Sequence, residues 1–309
     1  MAHLNAIILK AHIRYNKMEE SKKNWYDKWH KAMLVLPILL ILISIFYIYG
    51  LYSKTGDFIQ KDASLSGGTT ITVQGDININ ELEDALKSEF PDLYVRKISD
   101  ISTGRDIASI IGSSAEPEVL QPAIEKFLGY KLNSGNSNIE FSGSALGENF
   151  YRQLITAIIL SFILMSLVIL FLFRKFVPSI VVIFATFGDI VLTLGLVNYL
   201  GIKLSSAGIA AFLMLIGYGV DTNILLTSRV LKKREDSINQ RIYGAFKTGM
   251  FMTFVGLAAV SPALFLITGL PDSFRQIFLI VAIGLLADII TTWIGNASII
   301  KWYAEKKRL

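Results

Sequence analysis

MLIGYGVDTNILL, Met214 to Leu226, sets one carboxylate, Asp221, inside an otherwise apolar stretch. Gly217 and Gly219 precede it and Asn223 follows it. The stretch belongs to an apolar run, Ala207–Leu226, and runs of about 18 or more such residues can cross a hydrocarbon core roughly 30 Å thick. Five more runs of this kind lie along the chain: Ala32–Leu51, Leu154–Phe173, Ile180–Leu200, Phe251–Thr268 and Ile277–Ile300. The fifth in chain order can begin as early as Ile242. With 309 residues, 52% of them hydrophobic and 18% charged, the chain reads as an integral membrane protein with six spans.

Lysine and arginine set the expected orientation. Residues 1–31, Arg174–Ser179, the connector 227–241 and the tail 301–309 hold eighteen basic residues, against two, Lys203 and Arg275, in the loops Gly201–Ser206 and Gly269–Gln276. Basic residues collect on the cytoplasmic side. Both termini are therefore expected inside, the first as a basic tail over residues 1–31. The net charge of +5 follows from these flanks and needs no nucleic acid. Trp25, Trp29, Trp293 and Trp302 fall near span ends, where interfacial rings gather. His3, His12 and His30 read as solvated tail residues. YGLYSKTGD after span 1, residues 32–51, offers no small-residue cleavage site, so that span is expected to be an uncleaved anchor.

Residues 52–153 are expected outside as one folded module. Strands are predicted at Thr69–Val73, Leu93–Ile98, RDIASII and NIEF, and helices at ININELEDALKSEF and AEPEVLQPAIEKFLG. The order β-α-β-β-α-β predicts a ferredoxin-like α+β domain between spans 1 and 2. Residues 154–300 carry spans 2–6. No cysteine is present, and no nucleophile–base pair, metal cluster or phosphate loop stands out. The expectation is a protein that is not an enzyme and holds no cofactor or metal.

Asp189, Asp221, Lys247 and Asp288 fall at membrane depth, where a charge costs about 2.5–3.5 kcal/mol on insertion scales. Ala185 and Thr193 flank Asp189 on one helical face, and Gly284, Asp288, Thr292 and Gly295 share another. Asp221 and Lys247 lie at matching depths, roughly 8 Å inside the inner boundary at 1.5 Å per residue. Their pairing would be either a structural salt bridge or a site at which protonation switches helix contacts.

IGYGVDTNILLTSRVLKKRE resembles the fourth-span motif of the SecD/SecF family. LSGGTTITV, with Gly67, Gly68 and Thr69, resembles that family's strand motif, and GSALG, Gly143 to Gly147, its stretch before span 2. GAFKTGMFMT resembles the fifth-span segment, with Lys247 where members can carry arginine; Ser64 and Ser144 depart from the usual aspartate and proline. Six spans around one small module resemble the SecF layout, most like the archaeal branch. The resemblance implies an accessory subunit of the Sec translocon in the cell membrane. It would partner SecD and the Sec channel and contact lipid and the translocating polypeptide, with Asp221 as proton-linked carboxylate and Lys247 as its basic partner. Asp189, Asp288 and Asn223 are secondary intramembrane candidates. A non-conducting scaffold, or a small-molecule or lipid exporter of the same superfamily, remains the alternative.

Overall fold

The computed structural model describes residues 25–99, 105–232, 237–265 and 272–307. His3, His12 and part of the connector 227–241 lie outside them. Among the described residues six helices are long and apolar enough to cross a membrane. The first comprises α1 (Trp25–Met33) and α2 (Val35–Thr55); α6 (Ser144–Phe173), α7 (Phe176–Tyr199), α8 (Ser206–Leu231) and α9 (Ile238–Phe265) follow. The last joins α10 (Asp272–Ile290), a π-helical turn (Thr291–Asn296) and α11 (Ala297–Lys307). Between the first and second stand α3 (Ala63–Ser66), β1 (Gly68–Gln74), α4 (Ile79–Leu86), β2 (Tyr94–Ser99), β3 (Asp106–Ser113), α5 (Pro117–Leu128) and β4 (Ser137–Ser142).

The sheet runs β2-β3-β1-β4 with every neighbour antiparallel. With a helix after β1 and another after β3, this is the expected ferredoxin-like arrangement. Period-two alternation sends Ile71, Val73 and Ile111 to one face, where they meet Leu82 and Leu86 of α4 and Leu120 and Ile124 of α5. Each such buried side chain contributes about 1.5–3 kcal/mol. Asn78 caps α4 by accepting from the Glu81 N–H at 3.5 Å. Pro117 opens α5 and Gly129 closes it in the left-handed conformation.

The bundle has inner and outer helices. About half of the apolar core of α7, α8 and the last helix is buried, 56%, 50% and 56%, against 11%, 6% and 17% for the first helix, α6 and α9. The inner three hold the polar residues described below, and the outer three turn wide apolar faces outward.

Domain and bundle share a core. Ile59 and Leu65 pack with Val197, Leu204, Phe212, Leu215 and Ile280. The backbone of the linker clips to the α7–α8 loop: Asp62 N–H donates to Leu204 O at 3.0 Å and Leu204 N–H to Gln60 O at 2.7 Å. Above this clip the Lys203 amine sits 3.4 Å from the centre of the Tyr94 ring.

At the opposite end Lys301 is fully buried. It pairs with Asp27, donates to Asn239 Oδ1 at 2.6 Å and lies 4.6 Å from the centre of the Tyr26 ring. Residues 25–31 and 301–307, read from sequence as parts of tails, are thus helical and tied to each other. His30 is a correction: it is buried, with Nδ1 3.1 Å from Asp27 O, on the same helix whose Asp27 is held by Lys301 and Asn239. Trp293 is another. It is buried in the π-helical turn, edge-on to Phe246 with ring centres 5.3 Å apart, whereas Trp29 and Trp302 are exposed.

Candidate functional site

The family-like glycines gather where sheet meets bundle. Gly67 and Gly68 take φ of +85° and +125°, which side chains rarely adopt. A Cβ on Gly67 would fall 2.3 Å from Ser144 Cα, and one on Gly147 would fall 2.9 Å from Leu65 O. Bare backbone therefore lets α3 lie against the first turns of α6. Thr69 Oγ1 donates to Ala115 O at 2.7 Å and fixes the start of β1. Gly143 precedes α6 in extended conformation. These residues shape a junction.

Asp189 on α7 and Asp288 on α10 are each 2% exposed. Thr291 of the π-helical turn donates to Asp189 Oδ1. Asp288 Oδ1 accepts from Thr222 of α8 at 2.7 Å and from Thr292 at 2.6 Å. Asn223 Nδ2 donates to Gly219 O at 2.7 Å, and Asn296 Nδ2 to Asn223 Oδ1 at 2.6 Å. Hydroxyls and amides from α8, α10 and the π-helical turn thus line a seam beside α7. The second carboxylate oxygens of Asp189 and Asp288 and Oδ1 of Asn296 are buried without a partner. Thr193, on the same face as Asp189, donates to its main-chain oxygen at 2.6 Å and leaves its carboxylate alone.

Asp221 stands elsewhere. It is exposed on α8, on the stripe of Met214, Gly217, Tyr218 and Ser228, while Thr222 and Asn223 face inward. Successive helical residues differ by about 100°, so one position decides the face. Lys247 on α9 is exposed too, and among the described residues no ion pair joins it to Asp221. The pairing expected from matching depth is therefore absent within this chain. Gly217 has nothing within 4 Å of its Cβ position, whereas a Cβ on Gly219 would meet Asp189 Oδ2 at 2.6 Å. Thr222, Thr291 and Asn296 were not singled out in the sequence. The visible signal was the hydroxyl pair three and four residues after Asp288, on its own helical face.

Residues 124–306 match the model for the C-terminal part of the protein-export membrane proteins SecD and SecF. The protein-export membrane protein SecF of Pyrococcus furiosus is 32% identical over 294 residues, 94% of this chain and 97% of that one. SecF of Methanocaldococcus jannaschii is 33% identical over 288 residues, 91% of this chain and 98% of that one. The crystal structure of SecDF, a translocon-associated membrane protein from Thermus thermophilus, shares the fold with a TM-score of 0.70 at 16% identity. That match covers 94% of this chain and 39% of the solved one. By its family model and its near full-length relatives, the chain belongs to the SecD/SecF family of protein-export membrane proteins.

Proposed function

We propose that this chain is an accessory subunit of the Sec protein-translocation machinery, and that it works with a SecD partner and draws on the proton gradient to promote export. The observation that carries the reading is Asp221, exposed well inside the 26-residue helix α8. Leu231, the last residue of that helix, lies about 15 Å further along at 1.5 Å per residue. A carboxylate facing acyl chains there costs about 2.5–3.5 kcal/mol, and polar groups from a second helical bundle would relieve it. Gly217 and Tyr218 beside it offer a close approach and a hydroxyl. A SecD half is the fitting partner, since a single SecDF chain accommodates this fold in 39% of its length. Asp221 is the proton-linked carboxylate in this reading and Lys247 its cationic counterpart across or beside the partner seam.

The basic flanks support cytoplasmic termini, with residues 52–153 outside and available to the emerging polypeptide. Lipid covers the outer faces of the first helix and α6. The chain would act without a cofactor and without hydrolytic chemistry.

The test is co-purification with untagged SecD and the Sec channel, followed by export into proteoliposomes under a proton gradient. Asp221→Asn is expected to leave the complex intact and to lower gradient-dependent export at least tenfold. Export that responds equally to the gradient in both proteins would leave only a scaffold.

A further inference from the structure

Most of the buried polarity of this chain lies away from Asp221. Asp189 and Asp288 approach the Gly219–Thr222 turn of α8 from two different helices. Each spends one carboxylate oxygen on hydroxyl donors and keeps the other buried and unpartnered. Asn296 Oδ1 is a third buried acceptor without a donor. A seam with three orphan acceptors lacks hydrogen. A proton, a cation or a bridging water can satisfy such acceptors, and only the first two also balance the charge of two buried carboxylates.

The described residues supply no cation. Among the described residues no ion pair involves either carboxylate. The charged groups on the helices packed around them are engaged or turned away. On α8, Asp221 is exposed and Arg229 donates to Gly244 O at 2.7 Å. On α9, Arg241 donates to Val230 O at 2.7 Å and Lys247 is exposed. On α11, Lys301 is held by Asp27. Tyr47 of α2 donates to Asn198 O at 3.4 Å, Arg152 in the exposed first part of α6 pairs with Glu148 at 2.7 Å, and Arg174 follows the last residue of α6. The two carboxylates are linked through the consecutive Thr291 and Thr292, and neighbouring buried carboxylates do not both stay ionised without compensation but share a proton.

We propose that Asp189 and Asp288 form a proton site of their own, wholly inside this chain, which holds one proton between two carboxyl groups and is distinct from Asp221. Protonation turns one orphan acceptor into an O–H donor for the acceptors facing it. Because the two carboxyls sit on α7 and α10 and are bonded through α8 and the π-helical turn, the proton alters how the inner helices bind one another. Two local features serve the site. Gly219 leaves room for Asp189 Oδ2, and the π-helical turn delivers Thr291, Thr292 and Asn296 to one seam; such turns often mark functional positions.

The experiment is infrared difference spectroscopy of the carboxylic-acid C=O band during a pH titration of the full chain in lipid nanodiscs, without partner. Asp221, which faces acyl chains in the absence of a partner, would add a band of its own, so the titration is run on the Asp221→Asn protein, which is expected to show a band from a water-shielded carboxyl inside the bundle. The double variant Asp189→Asn/Asp288→Asn loses it, and each single variant moves its midpoint by about one pH unit or more, because the neighbouring carboxylate is gone. Thr291→Val keeps both carboxyls and the packing volume and also moves the midpoint. The site is overturned if the Asp221→Asn protein shows no such band, if the band survives when Asp189 and Asp288 are both replaced in it, or if Na+ at constant ionic strength displaces it. No export is measured, so this site and the function proposed above fail separately.

Discussion

Lys301 pairs with Asp27 across 274 positions of sequence. The ammonium is fully buried, and Asn239 at the start of α9 holds both it and Asp27, with Nδ2 2.9 Å from Asp27 Oδ1. Three chain segments therefore close one end of the bundle through a single cation.

Removing Asp27 leaves that buried cation only the longer, more exposed pairing with Glu305 at 3.7 Å. Asp27→Ala is expected to destabilise the protein by roughly 3 kcal/mol, as for other broken buried pairs. Replacing both partners, Asp27→Leu with Lys301→Met, should recover most of it, since an apolar pair leaves no charge to solvate. Thermal unfolding in nanodiscs gives both numbers. An Asp27→Ala protein that melts with the parent would show the pair to be idle.

Gly147 and Gly217 make a matched contrast. A methyl on Gly147 meets Leu65 O at 2.9 Å and Gly67 N at 3.1 Å, all backbone, so Gly147→Ala should cost about 1–3 kcal/mol. A methyl on Gly217 meets nothing within 4 Å. In the isolated chain Gly217→Ala should be neutral or stabilise by up to about 1 kcal/mol, as for any exposed helical glycine. A deficit for Gly217→Ala that appears only in the complex would locate the partner on this face.

Much of this architecture could be read from residues alone. Run lengths gave six helices, and alternation in ITV and SII gave strands whose register the structure places directly opposite, Ile71 against Ile111. The face of Asp221 could not be read that way. Inside a membrane helix both faces are apolar, so hydropathy carries no phase, and Gly217 and Gly219 suit either orientation. Trp293 failed for a related reason: it lies near the end of its apolar run, but the helix continues through the π-helical turn and α11 to Lys307 and keeps the ring inside the bundle.

Acid should loosen the α+β domain before the bundle. Lys97 donates to Asp106 at 2.5 Å and holds its carboxyl below the ordinary range, with help from Ser99. Burial pushes the Asp92 carboxyl up, but the Ser114 N–H and hydroxyl and the Ser113 hydroxyl outweigh it, and the net shift is downward. A carboxyl lowered by folding adds stability above its unfolded value, about 3.9 for aspartate, and that stability is lost as pH falls through the folded value. Domain melting followed by circular dichroism should therefore drop below about pH 4. Asp106→Asn should flatten the drop; an unchanged acid limb would reject the assignment.

The Lys203–Tyr94 contact invites a lighter perturbation. Tyr94→Leu removes the ring under the amine and should cost about 0.5–2 kcal/mol. Hydrogen exchange should then rise in both β2 and the 201–205 loop, since the ring is their shared contact. Faster exchange in β2 alone would mean that the amine does not tie the two together.

The two main-chain bonds between residues 60–62 and Leu204 leave no slack between the sheet and the hairpin of α7 and α8. A tilt of that hairpin in the bilayer would carry residues 60–62 with it and turn the sheet that follows them, as a lever with a longer arm. Work done among buried side chains could in this way surface as displacement many ångströms beyond the lipid.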